Sequence, residues 1–491
     1  MGQIQLDWER YLDKVYACWM GKNIGGTLGT PLEGKKEVHS LTFYDPVPDR
    51  PLPNDDLDFQ LVWLRMLLDG RIDPWLDDFS EYWLRHLSAY PWNEYGFCAR
   101  NLERGLRPPV SGCFENYFVD EMGSPIRSEI WACVSPGDPQ TAASLAWRDS
   151  ALDHAGGEGT YGEMFWAAVE SAAFVLDDPQ TLIRIGLSMI PSSSLIHRTV
   201  REVLWCHRKG LSWIEARNRI LHCFGHAQPC NAPQNHGFTV IGLLYGRDFG
   251  DKLCTAVNCG YDTDCTGATL GSLLGIMNGS SGIPSRWAEP IGEEIVLHKF
   301  TKNLKAPRDV RELTELTGRV ARRRSEAGLC STTLGDADVT PGDALSILFR
   351  NHKALAAARR DPQSSIVRRG SYELSFHYMG DPVLYPGVEK EVAVSLEKDG
   401  SPQQFRLDVE LPEGWVGDGP FEYGCWKVFR VKAPSLEKGQ EIGVKAKLDG
   451  EDLTERFLLL SPSDLDPYGC SLNVPTCPRC GGRLGSCICE G

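Results

Sequence analysis

No stretch of this 491-residue chain approaches the run of about 18 uninterrupted apolar residues that a membrane-spanning helix needs. The first ten residues include Asp7, Glu9 and Arg10 and no apolar segment of the secretory kind. Positive charge is in short supply: 51 Lys+Arg stand against 66 Asp+Glu, a net charge of −15. That balance excludes a general binder of nucleic acid or of anionic membranes, though not a local site for an anionic ligand. Nor is there a fibrous or disordered bias, since hydrophobic residues make up 42% and charged residues 24%. The expectation is a soluble, cytoplasmic protein. At about 100–200 residues per domain it should have two or three parts.

Cysteine is not scarce, but most of it is dispersed. Of 17 cysteines, twelve precede Cys470. Cys18, Cys98, Cys206, Cys223 and Cys254 sit in apolar or mixed contexts and read as small core residues in a reducing compartment. The other five crowd into the last 22 residues. There Cys477, Cys480, Cys487 and Cys489 form two close pairs around a Gly-rich turn, and four thiolates can wrap one structural Zn²⁺. Cys470 is left outside that set. A tail of free thiols is the plainer alternative.

Hydrophobic patterning divides the chain. Residues 1–330 show apolar positions three and four apart: Trp8, Tyr11, Leu12, Val15, Tyr16 and Trp19, then Leu57, Leu61, Leu64 and Leu68. Residues 163–176 and 265–277 are apolar nearly all round and read as buried helices. This predicts an all-α domain, orthogonal rather than up-and-down because Gly- and Pro-rich loops interrupt it. Residues 331–369 read as a linker with one helix over 343–360. In 370–462, two-residue alternation and β-rich runs at 390–396, 404–411, 426–431, 442–448 and 456–460 predict a small antiparallel β-sandwich, immunoglobulin-like in form. Its strands carry no clustered catalytic types, so a structural role or a protein partner is its expected use. Residues 463–491 form the Cys-rich tail.

Three acidic clusters stand out in the helical part. Glu33 ends a Gly-rich loop that includes Gly26, Gly29 and Pro31. Asp55, Asp56 and Asp58 open the Leu57–Leu68 helical pattern. Asp262 and Asp264 open a helix too apolar for the surface. A carboxylate at a helix start is ordinarily a cap, favoured by free N–H groups and the macrodipole. Two such pairs near a core are harder to dismiss, because unpaired buried charge is costly and a divalent cation removes the cost. All-oxygen ligands select Mg²⁺, Mn²⁺ or Ca²⁺. Gly267, Gly271 and Gly275, four apart, permit another helix to approach closely and bring the distant clusters together. Residue types and spacing thus give a metal site without a substrate.

The same residues resemble a known family. Gly29-Thr30-Pro31-Leu32-Glu33, then Asn54-Asp55-Asp56, then Gly260-Tyr261-Asp262-Thr263-Asp264-Cys265 follow in the order of the ADP-ribosylglycohydrolases. Between the outer motifs, Ser135 to Pro139, Ala142-Ala143, His154, Gly159, Tyr161, Gly162 and Asn235 are similar to the family's middle segment, so the resemblance runs over about 8–325. It implies an all-α fold with a binuclear Mg²⁺ (or Mn²⁺) centre. Asn54, Asp55, Asp56, Asp262, Asp264 and Cys265 would be the ligands. His154, Gly159, Tyr161 and Asn235 would line the substrate, and Glu33 would act as base or gate beside the water. The implied reaction is hydrolysis at the anomeric carbon of a ribose in an ADP-ribosyl conjugate. Hydrolysis of a free nucleoside, or silent ADP-ribose binding, are the alternatives. Two departures stand out: Asn54 where Thr is usual, and Cys265 at a hydroxyl-ligand position, where a thiol suits Mg²⁺ poorly.

Overall fold

The computed structural model describes residues 3–91, 93–448 and 450–465. Cys477, Cys480, Cys487 and Cys489 lie outside the described residues. The chain forms two compact units, one from residues up to 74, 120–150 and 157–360, the other from 75–119, 151–156 and 361 onward. The division interleaves, where the sequence pattern set consecutive parts at 1–330, 331–369, 370–462 and 463–491.

The first unit is helical apart from a short parallel pair, β1 (Gln5–Asp7) with β2 (Thr333–Gly335). Its centre is two long helices, Trp8–Gly29 and Thr263–Asn278, packed antiparallel on a seam of small residues. Ala17 faces Gly275, Gly21 faces Gly271, Gly25 faces Gly267, and Gly29 faces Thr263. A Cβ added at Gly25 would lie 1.9 Å from the Gly267 carbonyl oxygen, and one at Gly271 would lie 2.1 Å from that of Gly21. Only hydrogen fits there. The four-residue glycine spacing thus does what the sequence suggested, and its partner is the first helix of the chain. The register brings residue 29 beside 263, so the loop after the first helix and the start of the second share one end of the pair.

The second unit joins helices Leu76–His86 and Asn93–Glu103 to a β-sandwich. Its strands are β3 (Ser364–Arg369), β4 (Tyr372–His377), β5 (Lys390–Lys398), β6 (Ser401–Pro402), β7 (Arg406–Glu410), β8 (Val416–Tyr423), β9 (Trp426–Lys432), β10 (Gln440–Leu448) and β11 (Glu451–Leu459). One sheet runs β3-β4-β5-β9-β8, with β6 on β5, and the other β11-β10-β7; every pairing is antiparallel. The order β4-β5-β9-β8 over β7-β10-β11 is the connectivity of a constant-type immunoglobulin sandwich, with β3 added at one edge. No cysteine pair joins the sheets. Phe376, Val392, Val394 and Leu396 from one face meet Leu407, Ile442, Val444 and Phe457 from the other, and Leu106, Val110 and Phe114 complete this core.

Two expectations need correction. The helix over 343–360 is broken into Ala344–Leu348 and His352–Ala358. The intended linker also ends in β3, whose Ser364 to Val367 are all buried. Alternation fails as a signal where both faces of a strand are covered.

Candidate active site

The first helix ends where the Thr30 hydroxyl donates to the Gly26 carbonyl at 2.8 Å and a single 3₁₀ turn, Thr30–Leu32, delivers Glu33. Backbone bonds stitch this loop to the late motif. Gly34 N–H donates to Tyr261 O at 2.8 Å, and Tyr261 N–H donates to Lys35 O at 2.7 Å. The Arg217 guanidinium spans both strands of the stitch, donating to Cys259 O at 2.7 Å and Lys36 O at 2.6 Å. Tyr261 holds φ 71° there, a conformation that costs a non-glycine residue energy and persists because the surrounding bonds fix it.

Asp55 and Asp56 open the helix Asp55–Leu68, capped by Asn54, whose Oδ1 accepts the Asp56 N–H at 2.7 Å. Asn54→Ala should therefore cost about 1 kcal/mol of stability, the usual value of a cap, while Mn²⁺ affinity stays within about twofold. Thermal melts with and without Mn²⁺ check both parts. Asp58 is not solvated: it is fully buried, and its charge helps raise the pKa of Asp55. Its Oδ2 accepts from the His298 N–H at 2.8 Å and the Thr301 hydroxyl at 2.5 Å, tying down a distant loop.

Asp262 and Asp264 flank Thr263, whose hydroxyl donates to Gly29 O at 2.8 Å. Asn235 holds the backbone of this turn: its Oδ1 faces the Asp262 N–H at 3.3 Å, and its Nδ2 donates to Pro229 O and Asn231 O. It thus positions the motif through the backbone. Ligand atoms of Asp56, Asp264 and Cys265 all lie within 4.8 Å of one another. The Cys265 thiol donates to Asp56 Oδ2 at 3.7 Å. Asp56, Asp262 and Asp264 are 0%, 1% and 6% exposed. Asp56 Oδ1, Asp264 Oδ1 and both Asp262 oxygens are buried without a hydrogen-bond donor.

Electrostatics ties the clusters into one pocket. Burial, then the Glu33 charge, pushes Asp262 up to about 7. The same two causes, joined by Asp262, Asp56 and Asp55, raise Asp264 well above the carboxylate range. Burial, Asp56 and Glu33 do likewise to Asp55. Glu33 is an exposed residue, but crowding around its carboxylate and then the Asp56 charge still push its pKa upward. Glu33 and Asp56 together raise the pKa values of Asp55, Asp262 and Asp264, and this crowd of buried carboxylates fits a divalent cation better than any arrangement of side chains present.

Sequence reasoning missed the inner wall of this pocket. Lys22 is 2% exposed, donates to Ile126 O and Glu129 Oε1 at 2.8 Å each, and lies 3.5 Å from Asp56 Oδ1. Burial works to lower its pKa, but Glu129 and Asp56 outweigh that and raise it, so the ammonium persists. Gln60 donates to Glu129 Oε2 and accepts from Ile130 N–H, both at 2.8 Å. Beyond them Glu170 is fully buried, its pKa raised well above the carboxylate range by burial and then the charge of Glu129. The available signal was a lysine set among Gly21, Gly25, Gly26 and Gly29 in the second half of a helix whose charged residues otherwise lie in its first two turns.

The remaining sequence candidates separate. Gly159 and half-buried Tyr161 begin the helix Glu158–Ala173 in the first unit. His236 is a core residue: Nδ1 bonds Ala232 O at 2.7 Å, the ring stacks on Trp166, and burial lowers its pKa to about 4. His154 is not among the residues gathered in the first unit. It is buried in the second, 3.0 Å from Asp153 and 3.6 Å from Glu94. Burial disfavours its charge, but Asp153 and Glu94 outweigh this and raise its pKa to about 9. A pKa raised above the ordinary 6.5 contributes stability that is full below pH 6.5 and is lost as pH climbs through about 9. The denaturation midpoint should fall over that window, and His154→Asn should remove the fall.

A model of the ADP-ribosylglycohydrolase family matches residues 7–327. Among solved structures, an ADP-ribosylglycohydrolase-related protein complex is 21% identical, with a TM-score of 0.43 over 64% of this chain and 99% of that one. No curated protein matches the chain. The family is generally metal-dependent, and Asp56, Asp264 and Cys265 form an acidic group able to hold an ion. With the family match spanning well over half of its 491 residues, the chain belongs to the ADP-ribosylglycohydrolase family.

Proposed function

We propose that this protein is a divalent-cation-dependent glycosyl hydrolase that cleaves the anomeric ribose bond of an ADP-ribosyl conjugate. The observation that carries the reading is the set of buried carboxylate oxygens without N–H donors on Asp262 and Asp264, gathered with Asp56 beside Glu33. Asp55, Asp56, Asp262 and Asp264 would hold one or two cations, Mg²⁺ or Mn²⁺. When bound, such a cation supplies charge and Lewis acidity to orient ribose hydroxyls and water. Lys22 opposes the burial that raises the Asp56 pKa, and Asn235 and Thr263 fix the turn that carries Asp262. Glu33 takes a proton from water as the leaving group departs through an oxocarbenium-like state. Its upward-shifted pKa suits a base that must hold a proton near neutral pH.

The test is a turnover screen in Mg²⁺ or Mn²⁺ against Arg-, Ser- and Asn-linked ADP-ribose and free nucleosides, with Asp264→Asn as the control. Release of ADP-ribose by the wild type alone, abolished by EDTA and restored by the cation, is the expected result. Turnover of nucleosides only would replace the substrate class. Tight ADP-ribose binding without any turnover would make the protein a binding module.

A further inference from the structure

We propose that Cys265 is itself a metal ligand, and that this centre takes borderline divalent ions — Mn²⁺, Fe²⁺, Co²⁺ or Zn²⁺ — in preference to Mg²⁺ and Ca²⁺. The inference rests on the metal reading of the pocket and adds the chemical class of the ion.

The first observation is position. Cys265 lies in the opening turn of the helix Thr263–Asn278, one residue after Asp264, and its sulfur comes within 4.8 Å of ligand atoms of both Asp56 and Asp264. Among the described residues no other three His, Cys, Asp or Glu side chains bring ligand atoms that close. The second is the absence of a hydroxyl to take the sulfur's place. Thr266 Oγ1 is turned back along its own helix and donates to Thr263 O at 3.1 Å, and Thr263 Oγ1 is spent on Gly29 O at 2.8 Å. The third is independent of both. Asp264 Oδ1 and the two Asp262 oxygens are buried with no N–H donor, on residues at least nine-tenths covered, so the groups around the sulfur call for a cation.

Donor chemistry then decides which cation. Mg²⁺ demands near-octahedral oxygen at about 2.0–2.1 Å and dehydrates reluctantly, whereas affinity for mixed sulfur and oxygen donors rises along Mn²⁺, Fe²⁺ and Co²⁺. Ligation is balanced by one proton: the thiol and M²⁺ become a metal thiolate, and H⁺ passes to solvent.

The experiment uses the full-length protein, stripped with a chelator and titrated with Co²⁺ alone, as wild type, Cys265→Ser and Asp264→Asn. Bound Co²⁺ is counted by equilibrium dialysis, and sulfur-to-cobalt charge transfer is read in the near ultraviolet. Because the C-terminal cysteines are identical in all three proteins, the wild-type-minus-Cys265→Ser difference isolates the one sulfur. The expected result is a difference band that saturates with one bound ion, and at least a tenfold fall in the Mn²⁺/Mg²⁺ affinity ratio in Cys265→Ser. Equal spectra and an unchanged ratio, with the same Co²⁺ bound, would overturn the sulfur ligand and leave the hydrolase reading intact. If Asp264→Asn binds as much Co²⁺ as wild type, the centre itself is not where the carboxylates converge, and both readings fall. Matching melting temperatures and circular dichroism show that a lost band is not a lost fold.

Discussion

Glu33→Gln is expected to lower turnover about 10²–10⁴-fold, the usual loss when a general base is removed, while Mn²⁺ affinity changes by less than about tenfold. The asymmetry follows from where Glu33 sits. It hangs from a 3₁₀ turn after the first helix, exposed, whereas Asp56, Asp262 and Asp264 are buried at helix starts. Glu33 influences those acids through charge, since it is a leading cause of the raised pKa values of Asp262 and Asp264. Removing that charge leaves the buried oxygens in place and relieves some of their mutual repulsion. Turnover and cation binding should therefore part company in this variant and fall together in Asp262→Asn. Single-turnover kinetics beside a Mn²⁺ titration makes the separation. Equal losses in both would make Glu33 a ligand, and no loss in either would make it a structural residue.

The largest effect on stability is expected at the glycine seam. Gly271→Ala puts a methyl 2.1 Å from the Gly21 carbonyl oxygen, and that neighbour is backbone, which cannot rotate aside. The two helices must separate along their length. Overpacking in a tight core ordinarily costs about 1–3 kcal/mol, and a backbone-to-backbone clash belongs at or above the top of that range. The same separation would pull Gly29 from Thr263, so Glu33 and Asp262 would lose their register, and activity would fall in whatever fraction stays folded. Gly342→Ala is the control, because a Cβ there meets nothing within 4 Å. Denaturant midpoints of the two variants decide the matter. A Gly271→Ala protein as stable as wild type would mean that the seam is looser than its geometry.

How much of this was legible in the chain depended on whether the evidence was local. The helix starts at Asp55 and Asp262 and the four-residue glycine repeat are short-range patterns, and they were read correctly as helices and a close-packing face. The family resemblance added the order of the motifs. Lys22, Glu129, Gln60 and Glu170 stayed hidden because their meaning lies in contacts far along the chain, 107 residues for Lys22 with Glu129 and 69 for Gln60 with Glu129. Lys22 alone looks like any lysine on a helix until Glu129 and Asp56 close over it. Thr266 and Thr263 illustrate the same limit, since only the folded helix shows which way each hydroxyl turns. In the sandwich, β8 was missed because Gly417, Asp418, Gly419 and Pro420 interrupt it and every residue is exposed, so no alternation exists to be seen. Helices Leu76–His86 and Asn93–Glu103 belong to the second unit because the core that Leu106, Val110 and Phe114 enter is built from strands far downstream.

That interleaving bears on the order of events during synthesis. Residues 75–119 leave the ribosome long before the strands that begin at Ser364, so their apolar faces must wait, unpaired, while most of the chain is made. The first helix waits almost as long for Thr263–Asn278. Neither unit can finish as a simple N-terminal domain, and a nascent chain halted near residue 260 would lack the second central helix and hold only Leu106, Val110 and Phe114 of the sandwich core. Exposed surface of that kind is what chaperones hold and what aggregation exploits. A chain cut at residue 360, natural as that point looks on a linear map, would strand helices Leu76–His86 and Asn93–Glu103 without their sheets.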